Sequence, residues 1–102
     1  MRLDYTISIQ DIAVPRFSVE AVEGIGKLFT LATLVLNVLE TKEKVEIVFH
    51  GLNPEDPERK IRGFQEILAT SGTADVPRFD PGEGGRVPGS SSHFQWVMLT
   101  RA

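Results

Sequence analysis

The chain contains no cysteine, so neither disulfide bonds nor thiolate chemistry is available to it. Such an absence is typical of proteins made in a reducing compartment, and we expect a cytoplasmic protein. Long hydrophobic runs are also missing. The longest, residues 28–39, is interrupted by threonines and an asparagine and is shorter than the roughly 20 residues that a membrane helix needs. No apolar leader follows Met1-Arg2, and we therefore predict no membrane insertion.

Clustered positive charge is a further absence. Lysine and arginine number 11 against 14 aspartate and glutamate residues, and the net charge is −3. The basic residues are scattered, whereas a protein that neutralises nucleic-acid phosphates needs them gathered on one surface. This distribution excludes nucleic acid as an expected partner.

The composition that remains is that of a small globular protein. A chain of 102 residues, 41% of them hydrophobic, is one domain by length and can bury one modest core. We therefore treat residues 1–102 as a single domain.

Four segments alternate between apolar and polar residues, as strands with one buried face do. They are residues 3–9, 17–21, 45–49 and 93–99. In the last of them Phe94, Trp96 and Met98 alternate with His93 and Gln95. This repeated pattern predicts a protein dominated by β-strands.

Two further segments fit either a helix or a strand. Residues 28–39 have apolar positions at helical spacing, but their β-branched content favours a strand buried on both faces. We interpret them as the longest strand. In residues 57–70 the Asp56-Pro57 pair predicts a helix start, whereas Gly63 would cost a helix about 1 kcal/mol relative to alanine. Local signals there lean towards helix.

Residues 72–92 are rich in glycine and proline and end in three serines. The segment has too few apolar side chains for their burial to offset the conformational entropy lost when the backbone is ordered. We predict a long flexible loop.

Motifs that would indicate chemistry are incomplete. Gly24-Ile25-Gly26-Lys27 resembles the end of a phosphate-binding loop, but Leu28 stands where that motif needs a serine or threonine for magnesium. Ser92 and His93 are neighbours on a predicted strand, so their side chains point to opposite faces. His50 and His93 are the only histidines and lack companions at metal-ligand spacing. We predict no catalytic, cofactor or metal site and no enzyme activity.

One stretch nevertheless carries a family likeness. Residues 17–37, with an apolar strand, the acidic turn Glu23-Gly24-Ile25 and a long apolar run, resemble the opening of VgrG-type spike proteins and of contractile-phage baseplate hubs. Residues 3–9 and 58–64 are similar to other strands of that family, although Gly26 stands where it often has serine. The resemblance implies a strand at residues 59–69. Because Gly63 also disfavours a helix there, we interpret this segment as a strand.

The likeness also implies a fold and a role. The fold would be all-β, an antiparallel β-barrel-like domain with at most one short helix and the 72–92 loop. The role would be structural and non-enzymatic: a hub module of a type VI secretion or phage tail spike complex, assembled in the cytoplasm. Its partners would be copies of itself, as a trimer, and tail-tube or spike proteins. Candidate core or interface residues are Leu28, Phe29, Leu31, Leu34, Val35, Leu36, Phe94 and Trp96.

Two alternatives stay open. The first is a β-barrel that binds a small ligand or a peptide, with the 72–92 loop as its lid. The second is an enzyme whose site would combine Asp75, Asp80, Glu83 and His93, for which the spacing offers no support.

Overall fold

The computed structural model describes residues 14–22, 24–70 and 76–101. Within them the chain forms four strands and two helices: β1 (Arg16–Val19), α1 (Ile25–Thr41), β2 (Lys44–Gly51), α2 (Asp56–Ala69), β3 (Arg78–Arg86) and β4 (His93–Thr100). The strand predicted for residues 3–9 lies outside the described residues. The strands predicted around residues 17, 47 and 96 are confirmed as β1, β2 and β4.

The strands make one mixed sheet in the order β1-β2-β4-β3. β1 and β2 are parallel, while β4 runs antiparallel to both of its neighbours. A parallel pair needs a crossover connection, and α1 supplies it between β1 and β2. The sheet is open, with β1 and β3 at its edges, and the predicted β-barrel and all-β class are wrong.

The segment 28–39, predicted as the longest strand, lies inside α1. Its core side chains follow helical spacing and pack together: Leu28, Leu31, Ala32, Val35 and Leu39. Burial of such a stripe outweighs the few tenths of a kcal/mol per residue that β-branching costs a helix. Thr30 and Thr33 are satisfied there, since their hydroxyls donate to the carbonyls of Gly26 and Phe29 at 3.3 and 3.2 Å.

The strand predicted for residues 59–69 is also wrong, because these residues belong to α2. Pro57 occupies the first helical turn, where its missing N–H and fixed φ favour a helix. Gly63 faces α1, with Leu28 across the contact. Phe64 and Leu68 are buried, and their packing offsets the cost of the glycine.

Much of the predicted 72–92 loop is ordered as β3, which pairs with β4 from Arg78 to Arg86. Residues 71–75 lie outside the described part. Glycines allow the two strands to approach closely: a side chain at Gly84 would collide with the amide of Gln95, which donates to the carbonyl of Gly82 at 2.6 Å. Pro81 is tolerated because β3 is an edge strand, and a bulge separates it from Gly84.

Both helices pack on one face of the sheet, and the core lies between the two layers. Phe64 of α2 sits edge-on to Phe49 of β2, with ring centroids 5.7 Å apart, and 6.0 Å from Phe79 of β3. The strands contribute Val19, Val45, Ile47, Phe49, Val97 and Leu99 to this covered face. Among the described helices, none is both long and apolar enough to cross a membrane.

Two basic side chains make hydrogen bonds between the helices and segments that are distant in sequence. Lys60 of α2 donates to the carbonyls of Glu20 and Ala21, at 2.6 and 2.9 Å. Arg101 donates to the carbonyls of Leu39 and Glu40, at 3.2 and 3.3 Å. The last turn of α1 has no basic residue of its own, so Arg101 satisfies carbonyls that the helix leaves without partners.

Candidate functional site

The face of the sheet opposite the helices is the candidate site, and we call it the open face. No element within the described residues covers it. Its side chains alternate along each strand with those of the core, and the strand register identifies them. They are Arg16, Ser18, Glu46, Val48, His50, Phe94, Trp96, Met98, Arg78 and Asp80. Alternation along a strand sends successive side chains to opposite faces, so each strand that builds the core also builds this surface.

An apolar stripe runs down the middle of the open face. Val48 of β2 lies directly opposite Trp96 of β4, with Phe94 and Met98 next to Trp96 on the same strand face. All four side chains are partly exposed, in contrast to the buried Phe49 and Val97 on the other side of the same strands. Isolated exposed apolar residues are normal on a protein surface, whereas a contiguous patch marks an interaction site.

Charged residues border the stripe on both sides. On the β1 side the Arg16 Nε donates to Glu46 Oε1 at 2.6 Å. On the β3 side the Arg78 Nε donates to Asp80 Oδ2 at 3.1 Å. Both arginines are more than 70% exposed, so these ion pairs contribute little to stability and their charges stay accessible to a partner.

A depression of about 440 Å³ lies over the stripe. Trp96 and Met98 form its floor, and its walls are Arg16 and Glu46 on one side and Asp80 and Glu83 on the other. The Glu83 carboxylate makes no ion pair within the described residues. An apolar floor between charged walls is the general arrangement of a protein interface, whose centre is apolar and whose rim is polar.

A second concavity lies on the helix side, between α2 and the β3–β4 hairpin. Its volume is about 350 Å³, and its apolar lining comes from Ile61, Phe79, Pro81 and Val97. Glu58, Arg62, Gln65 and Gln95 form the polar part of the lining. Volumes of roughly 300–1,000 Å³ are usual for small-molecule sites, so this cleft has the size for a small ligand.

The groups that could carry chemistry are not gathered. His50 belongs to the open face, whereas His93 pairs with Gly51 on the opposite side of the sheet. Asp80 and Glu83 line the depression but His93 does not, and Asp75 lies outside the described residues. Within the part of the chain that the structure describes, no three histidine or acidic side chains converge on a metal position. Lys27, in the first turn of α1, is exposed.

The candidate core and interface residues divide into three groups. Leu28, Leu31 and Val35 are in the core, and Leu36 packs partly against it. Phe29 and Leu34, both on α1, are 58% and 47% exposed. The predicted aromatic pair of the last strand, Phe94 and Trp96, lies on the open face.

Sequence reasoning did not single out Val48, Met98, Arg16, Glu46 or Asp80 as parts of a shared surface. The alternation in β2 and β4 contained the signal, because it fixes which residues share a face. What it could not supply was the pairing of β2 with β4, which brings Val48 beside Trp96 across 48 positions of sequence.

Comparison of the chain with protein-family models, with curated proteins and with solved structures finds no match. The likeness to VgrG-type hubs therefore gains no support from these comparisons, and two of the segments that suggested it are helical. The open face of the sheet is the feature of this structure that bears most directly on function.

Proposed function

We propose that this protein is a non-enzymatic interaction module that binds a protein partner across the open face of its sheet. The observation that carries the proposal is the stripe of Val48, Phe94, Trp96 and Met98, which no described element covers. Two-layer α/β domains bury one face of the sheet under helices, and the other face usually reads polar when it meets water. Here that face is apolar at its centre.

The composition of the surface supports a protein partner. Tryptophan and methionine are enriched at the centres of protein interfaces, and tryptophan is among the residues that contribute most to binding energy. The rim carries both signs of charge, from Arg16, Glu46, Arg78 and Asp80. Such a rim orients a partner and selects against wrongly charged ones.

The role predicted from the hub likeness changes in its details. We retain non-enzymatic assembly as a proposal. We do not retain the β-barrel, and without it there is no reason to prefer a trimer. Attachment to a phage tail or secretion apparatus stays a prediction from sequence resemblance alone.

Site-specific photo-crosslinking in cells that make the protein tests the proposal. A photoreactive residue in place of Met98 on the open face should yield discrete protein adducts. The same residue in place of Glu66, which is exposed on α2, is the matched control and should yield none. Val48→Lys should abolish the Met98 adducts while leaving the circular dichroism spectrum and melting profile unchanged. Equal adducts from both positions, or none from position 98, would refute an interaction site on this face.

The cleft between α2 and the β3–β4 hairpin supports a second candidate function, binding of a small apolar ligand. Its volume of about 350 Å³ and its lining by Ile61, Phe79 and Val97 favour this reading. The 72–92 segment would not act as a lid, because β3 occupies residues 78–86 of it. Thermal-shift screening of apolar carboxylic acids and amides, with Ile61→Asp as control, separates this candidate from the first. Stabilisation of the wild type that disappears in the variant would support it.

A further inference from the structure

We infer that the partner on the open face is a second copy of this chain, packed face to face about a twofold axis that runs parallel to β2 and β4. This inference rests on the proposed function and names its partner. The side chains of the open face form rows that run across the strands. One row reads Arg16, Glu46, Met98 and Asp80 from the β1 edge to the β3 edge, and the next reads Ser18, Val48 and Trp96.

A twofold axis in this direction places each strand of one copy over a different strand of the other. It sets β1 opposite the partner's β3, and β2 opposite the partner's β4, while each row stays at its own height along the strands. Any other orientation lacks this property: an axis perpendicular to the strands would set each strand over its own copy and bring like charges together. Closed twofold symmetry with self-complementary patches is the commonest arrangement of soluble oligomers.

The charges at the two edges are complementary under this operation. Arg16 at the β1 edge meets the β3 edge of the other copy, where Asp80 and Glu83 form one wall of the depression. Arg16 uses its Nε for Glu46, so its two terminal nitrogens are available to a carboxylate from outside. The Glu83 carboxylate has no ion-pair partner within the described residues. Symmetry makes this contact twice.

The apolar centre is complementary as well. Val48 of each copy lies over Trp96 of the other, on the floor of its depression. Sheets that pack face to face interdigitate their side chains about 10 Å apart. Val48 is small enough to enter a depression that Trp96 and Met98 line, whereas two tryptophans in the same place would clash.

The size of the face sets the expected strength. Four strands about 4.8 Å apart, with about 3.3 Å per residue along them, give a face of roughly 500 Å². Two such faces together hide about 1,000 Å², slightly below the roughly 1,200–2,000 Å² of stable specific interfaces. We therefore expect a dimer that dissociates on dilution through the micromolar range.

Charge reversal tests the geometry in purified protein. Arg16→Glu alone and Glu83→Arg alone should each weaken dimerisation at least tenfold, because each creates two like-charge contacts across the axis. An equimolar mixture of the two variants should restore dimers, since a heterodimer regains opposite charges at both contacts. Lys27→Glu in the exposed first turn of α1, on the helix side of the sheet, is the matched control and should leave the dimer unchanged. Melting profiles of every variant establish that the fold is intact.

Sedimentation equilibrium from micromolar to millimolar concentration measures the association. Emission of Trp96, the single tryptophan of the chain, gives an independent readout and should shift to longer wavelength on dilution. A wild type that stays monomeric at millimolar concentration overturns the dimer, as does a dimer that ignores both charge reversals. If photo-crosslinking at position 98 then captures a different protein, the interaction function stands while self-association fails. Absence of both defeats the two proposals together.

Discussion

The two faces of β4 both carry apolar side chains, but one face is buried and the other is partly exposed. On the covered face Val97 and Leu99 are almost completely buried, beneath the two helices. On the open face Phe94, Trp96 and Met98 are larger, yet remain partly exposed. Hydrophobicity alone would choose the wrong face of this strand as the core. The neighbouring strand β2 determines which face is covered. It presents the apolar Val45, Ile47 and Phe49 on one side, and Glu46, Val48 and His50 on the other.

The largest expected contrast is between two aromatic residues on opposite faces. Phe49→Ala should lower the free energy of unfolding by about 3–5 kcal/mol, because Phe49 is fully buried against Phe64. Trp96→Ala should cost the monomer less than about 1 kcal/mol, since surface changes away from the core have small effects. Urea unfolding at low protein concentration measures both. Similar losses at the two positions would mean that the open face is covered in solution.

Two glycines extend the contrast to the backbone. Gly51 ends β2 on the covered side, where an added Cβ would collide with Asp56 and lie 2.9 Å from the Pro57 ring. Gly85 belongs to β3 opposite Phe94, and a Cβ there would touch the ring at an ordinary 3.7 Å. Gly51→Ala should therefore destabilise the protein by about 1–3 kcal/mol. Gly85→Ala is the control and should change stability little, as thermal melts of the two variants will establish.

Acid should lower the free energy of unfolding by protonating Asp56 at the start of α2. The backbone N–H groups of Asn53 and Leu52 donate to this carboxylate, at 3.2 and 3.1 Å, and with Arg59 they hold the pKa of Asp56 below its usual value. A lowered pKa in the folded state means that the stabilisation is present above the pKa of the unfolded chain. It is lost as the pH falls through the folded value, below about pH 4.

Asp56→Asn keeps an oxygen acceptor but cannot titrate. The stability difference between wild type and this variant should be constant near neutral pH and shrink towards acid, as unfolding midpoints from pH 6 to pH 2 would reveal. A difference that is independent of pH would contradict the role of the charge.

The smallest expected effect is a gain. Gly63 lies within α2, and an added Cβ would make only an ordinary 3.6 Å contact with Leu28. Gly63→Ala should therefore stabilise the protein by about 0.5–1 kcal/mol, because alanine loses less backbone entropy in a helix. A loss of stability in chemical denaturation would indicate that the packing of α1 on α2 is tighter than the 3.6 Å contact suggests.

Period-2 alternation correctly located β1, β2 and β4, because those strands have one face in the core and the other outside it. A different criterion failed for α1: the apolar positions from Leu28 to Leu39 have helical spacing, but the β-branched residues among them were given more weight and favoured a strand. Gly63 was misleading for a different reason, since its cost to α2 is offset by the burial of Phe64 and Leu68 in the core, which the local sequence does not reveal. The family likeness compounded both errors, because degenerate apolar motifs match helices and strands equally well.

The glycine-rich β3 could not be predicted from its own composition. Its order comes from the ladder with β4 and from Gln95, which lies across it and donates to the carbonyl of Gly82. Likewise Arg16 and Asp80 meet at the depression only after β1, β2, β4 and β3 have paired. The open face is a product of strand order, and strand order was not readable from the sequence.

The place of β4 within the sheet has a consequence for how the protein is made. β4 follows β3 in the chain, yet it lies between β2 and β3 in the sheet, and Arg101 beyond it donates to carbonyls at the end of α1. A nascent chain that has not reached residue 93 can form the β1-α1-β2 unit but has nothing on which β3 can pair. Completion of the sheet therefore waits until β4 has been synthesised, and the unpaired edge of β2 stays exposed to other chains during that interval.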